Sequence, residues 1–255
     1  MVRTTCSGGV RGAARAGFGR SGRRPYAARM PNESRLLLDA AELAAFVRER
    51  TRRGPVPFVP EIELHMAEEV LELWEALEAA RGEVGLPPPF WAFPWAGGVA
   101  VARYVLDHPE TVAGRRVLDL AAGSGLVAVA AALCGASSVL AIDIDPYAIA
   151  ATEVNAAANG VRVEALAQDV LDGDGGPAEV VLAGDVFYER TMAARFLPFL
   201  ERARARGAEV VVGDPGRAYL PRERFTSVAA YQVPVVADLE DTALKTTTVW
   251  RLDPR

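Results

Sequence analysis

Residues 117–128 read Val117-Leu-Asp119-Leu-Ala121-Ala-Gly123-Ser-Gly125-Leu-Val-Ala128, and a second acid, Asp143, closes the next apolar run 24 residues after the first acid. The apolar opening predicts a buried strand over 116–120, the two glycines a tight turn, and the small apolar residues beyond them a helix over 125–133. A glycine-rich turn between strand and helix lets backbone N–H groups and the helix N-terminus approach a ligand closely. An acid ending the following strand, as Asp143 does, suits the hydroxyls of a ribose. Gly123-Ser-Gly-Leu-Val-Ala128 also satisfies the G-x-G-x-x-A pattern of dinucleotide sites, so the glycines alone fit two cofactors. Asp119 separates them. An acid at the strand end repels a pyrophosphate laid over the turn and suits a ligand carrying an ammonium group beside a sulfonium cation, S-adenosyl-L-methionine.

Alternation of strand and helix continues downstream. Strands are predicted over 138–142, 161–167, 179–183 and 209–212, with helices over 146–159 and 192–206, an order that implies parallel βαβ units. Two β-rich runs, 231–236 and 246–252, have no helix between them and predict an antiparallel hairpin at the sheet edge. The expected fold class is therefore α/β, a Rossmann-like seven-stranded, mostly parallel sheet with a C-terminal antiparallel hairpin.

Upstream, residues 33–86 predict an N-terminal helical cap. One helix runs from Ser34 and stops at Gly54-Pro55, an extended piece covers 56–59, and a second amphipathic helix over 61–80 carries Leu64, Val70, Leu71, Trp74 and Leu77. The segment Pro87-Pro-Pro-Phe-Trp91-Ala-Phe93-Pro-Trp95-Ala-Gly-Gly98 has too many prolines for a helix and too many aromatics for a linker. Residues 87–255 form the expected cofactor-binding domain.

Residues 1–32 contain seven arginines and no acid, against −5 for the whole chain, which leaves −12 on the remainder. This Arg/Gly-rich stretch reads as a disordered extension, as a translation start placed ahead of Met30, or as an organelle transit peptide. The corresponding locations are the cytoplasm or, for a transit peptide, the mitochondrial matrix. An acidic body argues against nucleic acid and suits a basic protein partner. No apolar run reaches the roughly 18 residues needed to span a bilayer, so no membrane partner is expected. Cys6 and Cys134 stand in unlike settings, which predicts neither a disulfide nor a metal site and fits a reducing compartment. A monomer is expected.

Ligands of open α/β sheets bind beyond the carboxyl ends of the strands, so Asp185 and Tyr188, in Gly184-Asp-Val-Phe-Tyr-Glu189, should face the site. As structure alone they would be a helix cap and a core aromatic. Asp169, after the third strand, either holds an adenine amino group or caps a turn. Asp214 and Arg217 either contact a protein substrate or brace a turn.

With these residues in place, the chain resembles the seven-β-strand (class I) methyltransferases. More narrowly it resembles the lysine methyltransferases of the electron-transfer flavoprotein β-subunit, whose bacterial members are often called nicotinamide N-methylase-like. The likeness covers about 56–252 and rests on Val56-Pro-Phe-Val-Pro-Glu-Ile, Leu73-Trp-Glu, Pro89-Phe-Trp-Ala-Phe, Gly97-Gly98, the turn at 119–125, Asp143-Ile-Asp-Pro146, Gly184-Asp-Val-Phe-Tyr188 and Gly213-Asp-Pro-Gly-Arg-Ala-Tyr-Leu220. It implies that Gly123, Gly125 and Asp143 bind the cofactor with Trp95 near it, and that Asp185 and Tyr188 lie beside the target amine. Ala121 stands where many class I enzymes have the first glycine, and Trp95-Ala-Gly-Gly98 replaces the usual Trp-Pro-Gly-Gly.

The reaction so implied needs a neutral amine, whereas a free lysine titrates near 10.4. Desolvation among Trp91, Phe93, Trp95 and Phe187 would favour the neutral form, although Phe93 fits a plain core residue equally well. Asp185 or Tyr188 would orient the amine, and aromatic faces would accommodate a methylated ammonium. A small-molecule N-methyltransferase would use the same site. An NAD-dependent oxidoreductase fits the glycines but not Asp119, and a non-catalytic binding module leaves Asp185 and Tyr188 without a purpose.

Overall fold

The computed structural model describes residues 39–235 and 243–254. The predicted extension over 1–32, the start of the first helix and the end of the run at 231–236 lie outside the described residues. In chain order the elements are α1 (Ala40–Arg50), β1 (Arg52–Val56), β2 (Val59–Met66), α2 (Val70–Arg81), α3 (Ala96–Asp107), β3 (Arg116–Leu120), α4 (Leu126–Leu133), β4 (Ser138–Asp143), α5 (Pro146–Ala158), β5 (Glu164–Ala167), β6 (Val180–Gly184), α6 (Arg190–Ala205), β7 (Glu209–Asp214), β8 (Phe225–Pro234) and β9 (Leu244–Leu252).

The main sheet has seven strands in the order β5-β4-β3-β6-β7-β9-β8. β5, β4, β3, β6 and β7 run parallel, and β9 pairs antiparallel with both β7 and β8. Parallel strands covered on both faces are apolar throughout, and β6 shows why: Val180 and Leu182 enter one core, Val181 and Ala183 the other. The first core holds α3 and α4, and the second holds α6 through Phe196, Phe199 and Leu200. Strand order reverses between β3 and β6, which opens a crevice at their carboxyl ends.

The N-terminal part departs from an all-helical cap. Residues 61–66, expected at the head of a long helix, belong to β2, which pairs antiparallel with β1 in a separate two-stranded sheet. Ile62-Glu63-Leu64 has the period of two proper to a strand, with Ile62 and Leu64 buried, and only 70–81 keeps the helical period. Gly54 and Pro55, expected to stop α1, lie within β1, where Pro55 falls at a shift in register. A proline lacks the N–H for a ladder and is tolerated at such an irregularity.

The hairpin is bonded to the body through two asparagines of α5. Asn155 Oδ1 accepts the His65 backbone N–H at 2.7 Å, and Asn159 Oδ1 accepts that of Glu63 at 3.0 Å. Asn159 Nδ2 donates to the Glu63 carbonyl at 2.7 Å. Spaced four apart, the two amides lie on one helix face and serve β2 as a neighbouring strand would. Among the described residues no helix is long and apolar enough to cross a membrane.

Candidate active site

The cofactor half is the turn between β3 and α4. Ala121, Gly123 and Gly125 all have left-handed backbone, at φ 57°, 53° and 75°. For the glycines this conformation carries no steric penalty, whereas the alanine bears a methyl against it. A Cβ on Gly125 would stand 2.8 Å from the side chain of Thr152, so α5 can approach the turn only because the position is glycine. Asn155 Nδ2 donates to the Ser124 carbonyl at 2.8 Å, so one buried side chain ties both the turn and β2 to α5.

Asp143, at the tip of β4, accepts the Gly123 N–H at 2.9 Å and the Asp145 N–H at 3.0 Å. Burial raises its pKa against these two bonds. Asp119 lies beneath the turn, 1% exposed. Its Oδ2 accepts the Ala128 N–H of α4 at 2.9 Å. Burial, opposed by that hydrogen bond and reinforced by Asp143, pushes it up to about 7. Asp119 thus caps α4 from below and contributes its field, not a lining surface. The turn fits S-adenosylmethionine: small residues clear its floor, Gly125 at the N-cap puts no side chain over the start of α4, and an acid, Asp143, stands beside it at the tip of β4. Asp169, just past β5, is held by Arg195 at 2.7 and 3.1 Å and accepts the Leu171 N–H at 3.1 Å. It caps a turn, and the Arg195 bond holds its carboxyl below the usual range.

The acceptor half gathers at the ends of β6 and β7. Asp185 has φ 56° and is buried. Its Oδ2 accepts the N–H groups of Gly97 and Gly98 at 2.5 and 3.2 Å, and its Oδ1 accepts from Arg217 Nη2 at 3.2 Å. Burial pushes it up to about 6 despite Arg217. It caps the first turn of α3. That helix can reach it because glycines meet at the contact: a Cβ on Gly97 would lie 2.3 Å from the Gly213 carbonyl, and one on Gly184 2.5 Å from the Gly98 nitrogen. Asp214 is buried and turns the chain, its Oδ1 accepting the Gly216 and Arg217 N–H groups at 2.7 and 2.6 Å. Arg217 and Asp214 therefore brace a turn, and Arg217 also neutralises Asp185.

Two expected substrate contacts lie in the core. Trp91 is 1% exposed and stacked on Tyr147 with ring centroids 6.1 Å apart, and Phe187 is fully buried against Phe225. Their chain neighbours occupy the mouth instead. Tyr188 is 39% exposed and Phe90 37%, with centroids 5.9 Å apart. Burial, aided by Glu189 and Asp143 and opposed by Arg217, pushes the Tyr188 phenol up to about 12. Trp95 is half-buried, donates from Nε1 to the Phe90 carbonyl at 2.8 Å, and meets the Phe90 ring edge-on at 5.7 Å. Phe93 is buried in the core. Phe90 was missed because a three-residue turn, Phe90–Ala92, has no periodicity from which to tell the outward ring from the inward one. Among the described residues no group of three or more His, Cys, Asp or Glu could hold a metal ion.

The sheet order, the glycine turn with Asp143 and the acceptor motif after β6 define a class I, S-adenosylmethionine-dependent methyltransferase. The ribosomal protein L11 methyltransferase (PrmA) family matches residues 104–186. The electron transfer flavoprotein beta subunit lysine methyltransferase of Xenopus laevis is 34% identical over 219 residues, 82% of this chain and 87% of that protein. Its Homo sapiens counterpart is 33% identical over 226 residues, 84% and 83% of the two chains. Among solved structures, the magnesium protoporphyrin IX methyltransferase of Synechocystis PCC 6803 with bound SAM aligns with a TM-score of 0.45 and 15% identity over 61% of this chain and 78% of that one. The chain belongs to the electron transfer flavoprotein beta subunit lysine methyltransferase family.

Proposed function

We propose that this enzyme methylates a lysine side chain of an electron transfer flavoprotein β-subunit, with the target amine entering beside Tyr188. The observation that carries the reading is the meeting of two halves: a Cβ on Gly123 of the cofactor turn would lie 3.9 Å from the Trp91 Cα, and the ring of its neighbour Phe90 packs on Tyr188 of the acceptor motif at 5.9 Å. The relatives named for this activity match over four-fifths of the chain.

Bound S-adenosylmethionine supplies an electrophilic methyl group on its sulfonium, so the protein's task is alignment and desolvation. Asp143 would receive the ribose hydroxyls, while Asp169 keeps to its turn and its Arg195 bond. Trp95, at the head of α3, would flank the cofactor. Asp143 sets a negative field that favours a cationic ligand, and Asp119 adds to it once it ionises above about pH 7. Tyr188 keeps its hydroxyl proton throughout the working pH range, and its oxygen accepts an N–H of a neutral amine, leaving the amine lone pair free for the methyl. Loss of water among the rings favours that neutral form, since Arg217 is paired with Asp185 and is outweighed near Tyr188 by Glu189 and Asp143. Asp185 acts as a positioning residue, fixing α3 and Arg217. An acidic body suits a basic substrate protein and not nucleic acid, and the enzyme acts as a monomer.

Purified protein incubated with methyl-labelled S-adenosylmethionine and an electron transfer flavoprotein β-subunit should yield a methylated lysine identifiable by mass spectrometry. Labelling of nicotinamide with no label on protein would instead make it a small-molecule enzyme. Asp185→Asn is the informative variant, because it keeps an acceptor for the α3 amides while removing the charge that Arg217 answers. Retained cofactor binding with impaired transfer supports the assignment, and unchanged turnover sinks it.

A further inference from the structure

The aromatic pair at the mouth consists of one residue from the acceptor motif and one from the proline-rich approach to α3. Phe90 is not a loosely placed surface ring. Three prolines precede it, its N–H donates to the Pro88 carbonyl at 2.8 Å, and its own carbonyl accepts from the Trp95 indole. The next peptides are pinned as well: the Ala92 N–H donates to Pro89 at 3.0 Å, and the Ala92 carbonyl accepts the Ala67 N–H at 3.0 Å. A phenylalanine held so firmly, yet left 37% exposed, forgoes burial that a core position would give it. Its ring touches Tyr188 at 5.9 Å and Trp95 at 5.7 Å, so the three form one continuous aromatic edge.

We propose that Phe90, Tyr188 and Trp95 form an aromatic collar around the incoming lysine stem, and that Phe90 is the residue that strips water from the amine. The proposal rests on the lysine-methyltransferase reading above. Four methylene groups of a lysine match an apolar collar, and the nitrogen beyond them loses its hydration shell where the ring replaces water. Charged groups around this point are Asp143 from β4, Asp185 and Glu189 after β6, and Arg217 and Asp214 from the loop after β7. Asp185 is answered by Arg217 and by the α3 amides, and Glu189 and Asp143 outweigh Arg217 at Tyr188, so the charges favour the ammonium and the apolar wall must drive the loss of its proton.

The experiment compares Phe90→Ala and Phe90→Leu with the unaltered enzyme, using the β-subunit as substrate across pH 7 to 10. The acidic limb of kcat reports the pKa of the bound amine. Phe90→Ala should move that limb toward the free-lysine value, lowering kcat at pH 7 on the order of tenfold for each unit moved, with recovery at high pH. Phe90→Leu, which stays apolar, should restore most of the loss at pH 7. S-adenosylmethionine affinity and melting temperature should change little, which a merely structural role would not allow. A limb that does not move, or a loss equal at every pH, overturns the role of Phe90 while leaving the lysine reading intact. Absence of protein methylation by the unaltered enzyme overturns both.

Discussion

Replacing Asp119 by asparagine changes a charge at almost constant volume beneath the cofactor turn. The folded protein holds the Asp119 proton up to about pH 7, whereas the unfolded chain releases it near the ordinary 3.8. Its contribution to stability is therefore complete below the unfolded value and is lost as pH rises through 7. At about 1.4 kcal/mol per unit, the span from pH 5 to 7 amounts to about 3 kcal/mol. Asparagine does not titrate, and its amide oxygen keeps the bond to the Ala128 N–H. Any cost of placing its N–H₂ there does not vary with pH. The stability difference between variant and parent should then shift by about 3 kcal/mol in the variant's favour between pH 5 and 8. For a chain of this size that is about 6–12 °C in Tm. Thermal melts at pH 5, 6.5 and 8, with S-adenosylmethionine and separately with S-adenosylhomocysteine, provide the assay. At pH 8, where Asp119 is ionised, the variant should also distinguish less between those ligands, because only the first carries a sulfonium charge. A difference flat to within about 1 kcal/mol across the three pH values would refute the view of Asp119 as a buried, late-titrating acid.

Gly97→Ala would drive a methyl into the Gly213 carbonyl at 2.3 Å, and the resulting displacement of α3 should lower Tm and abolish methyl transfer together. Ala121→Gly should raise stability by about 1 kcal/mol in chemical denaturation, since the left-handed backbone at φ 57° no longer carries a Cβ. Asn155→Ala strands the His65 N–H and the Ser124 carbonyl, so a loss of about 2–4 kcal/mol in denaturation, with weaker cofactor binding by titration, is expected.

The five parallel strands were legible because their apolar runs and the helices between them have distinct periods, and the glycine turn with Asp143 fixed their polarity. Misreading 61–80 as one helix joined two periods across Ala67-Glu68-Glu69, where the chain leaves the hairpin. The site was legible by segment and not by residue. Trp91 and Phe187 were expected at the mouth, yet each is buried and its neighbour, Phe90 or Tyr188, is the exposed ring. Both pairs lie in irregular chain, where facing is set by contacts with distant elements. Asp185 takes its backbone partners from α3, whose approach depends on Gly97, Gly184 and Gly213, a packing fact that spacing does not encode.

The bonds from Asn155 and Asn159 to β2 bear on how such enzymes can be recombined. A chimera that takes its hairpin from one relative and its α5 from another separates an amide ladder from the strand it serves, unless the donor carries asparagines four apart at the matching positions. Because Asn155 also holds the Ser124 carbonyl, the damage would not stop at the graft but would reach the cofactor turn. Crossover points that keep residues 59–159 together preserve the ladder intact, so the inheritable unit cuts across the boundary drawn at residue 87.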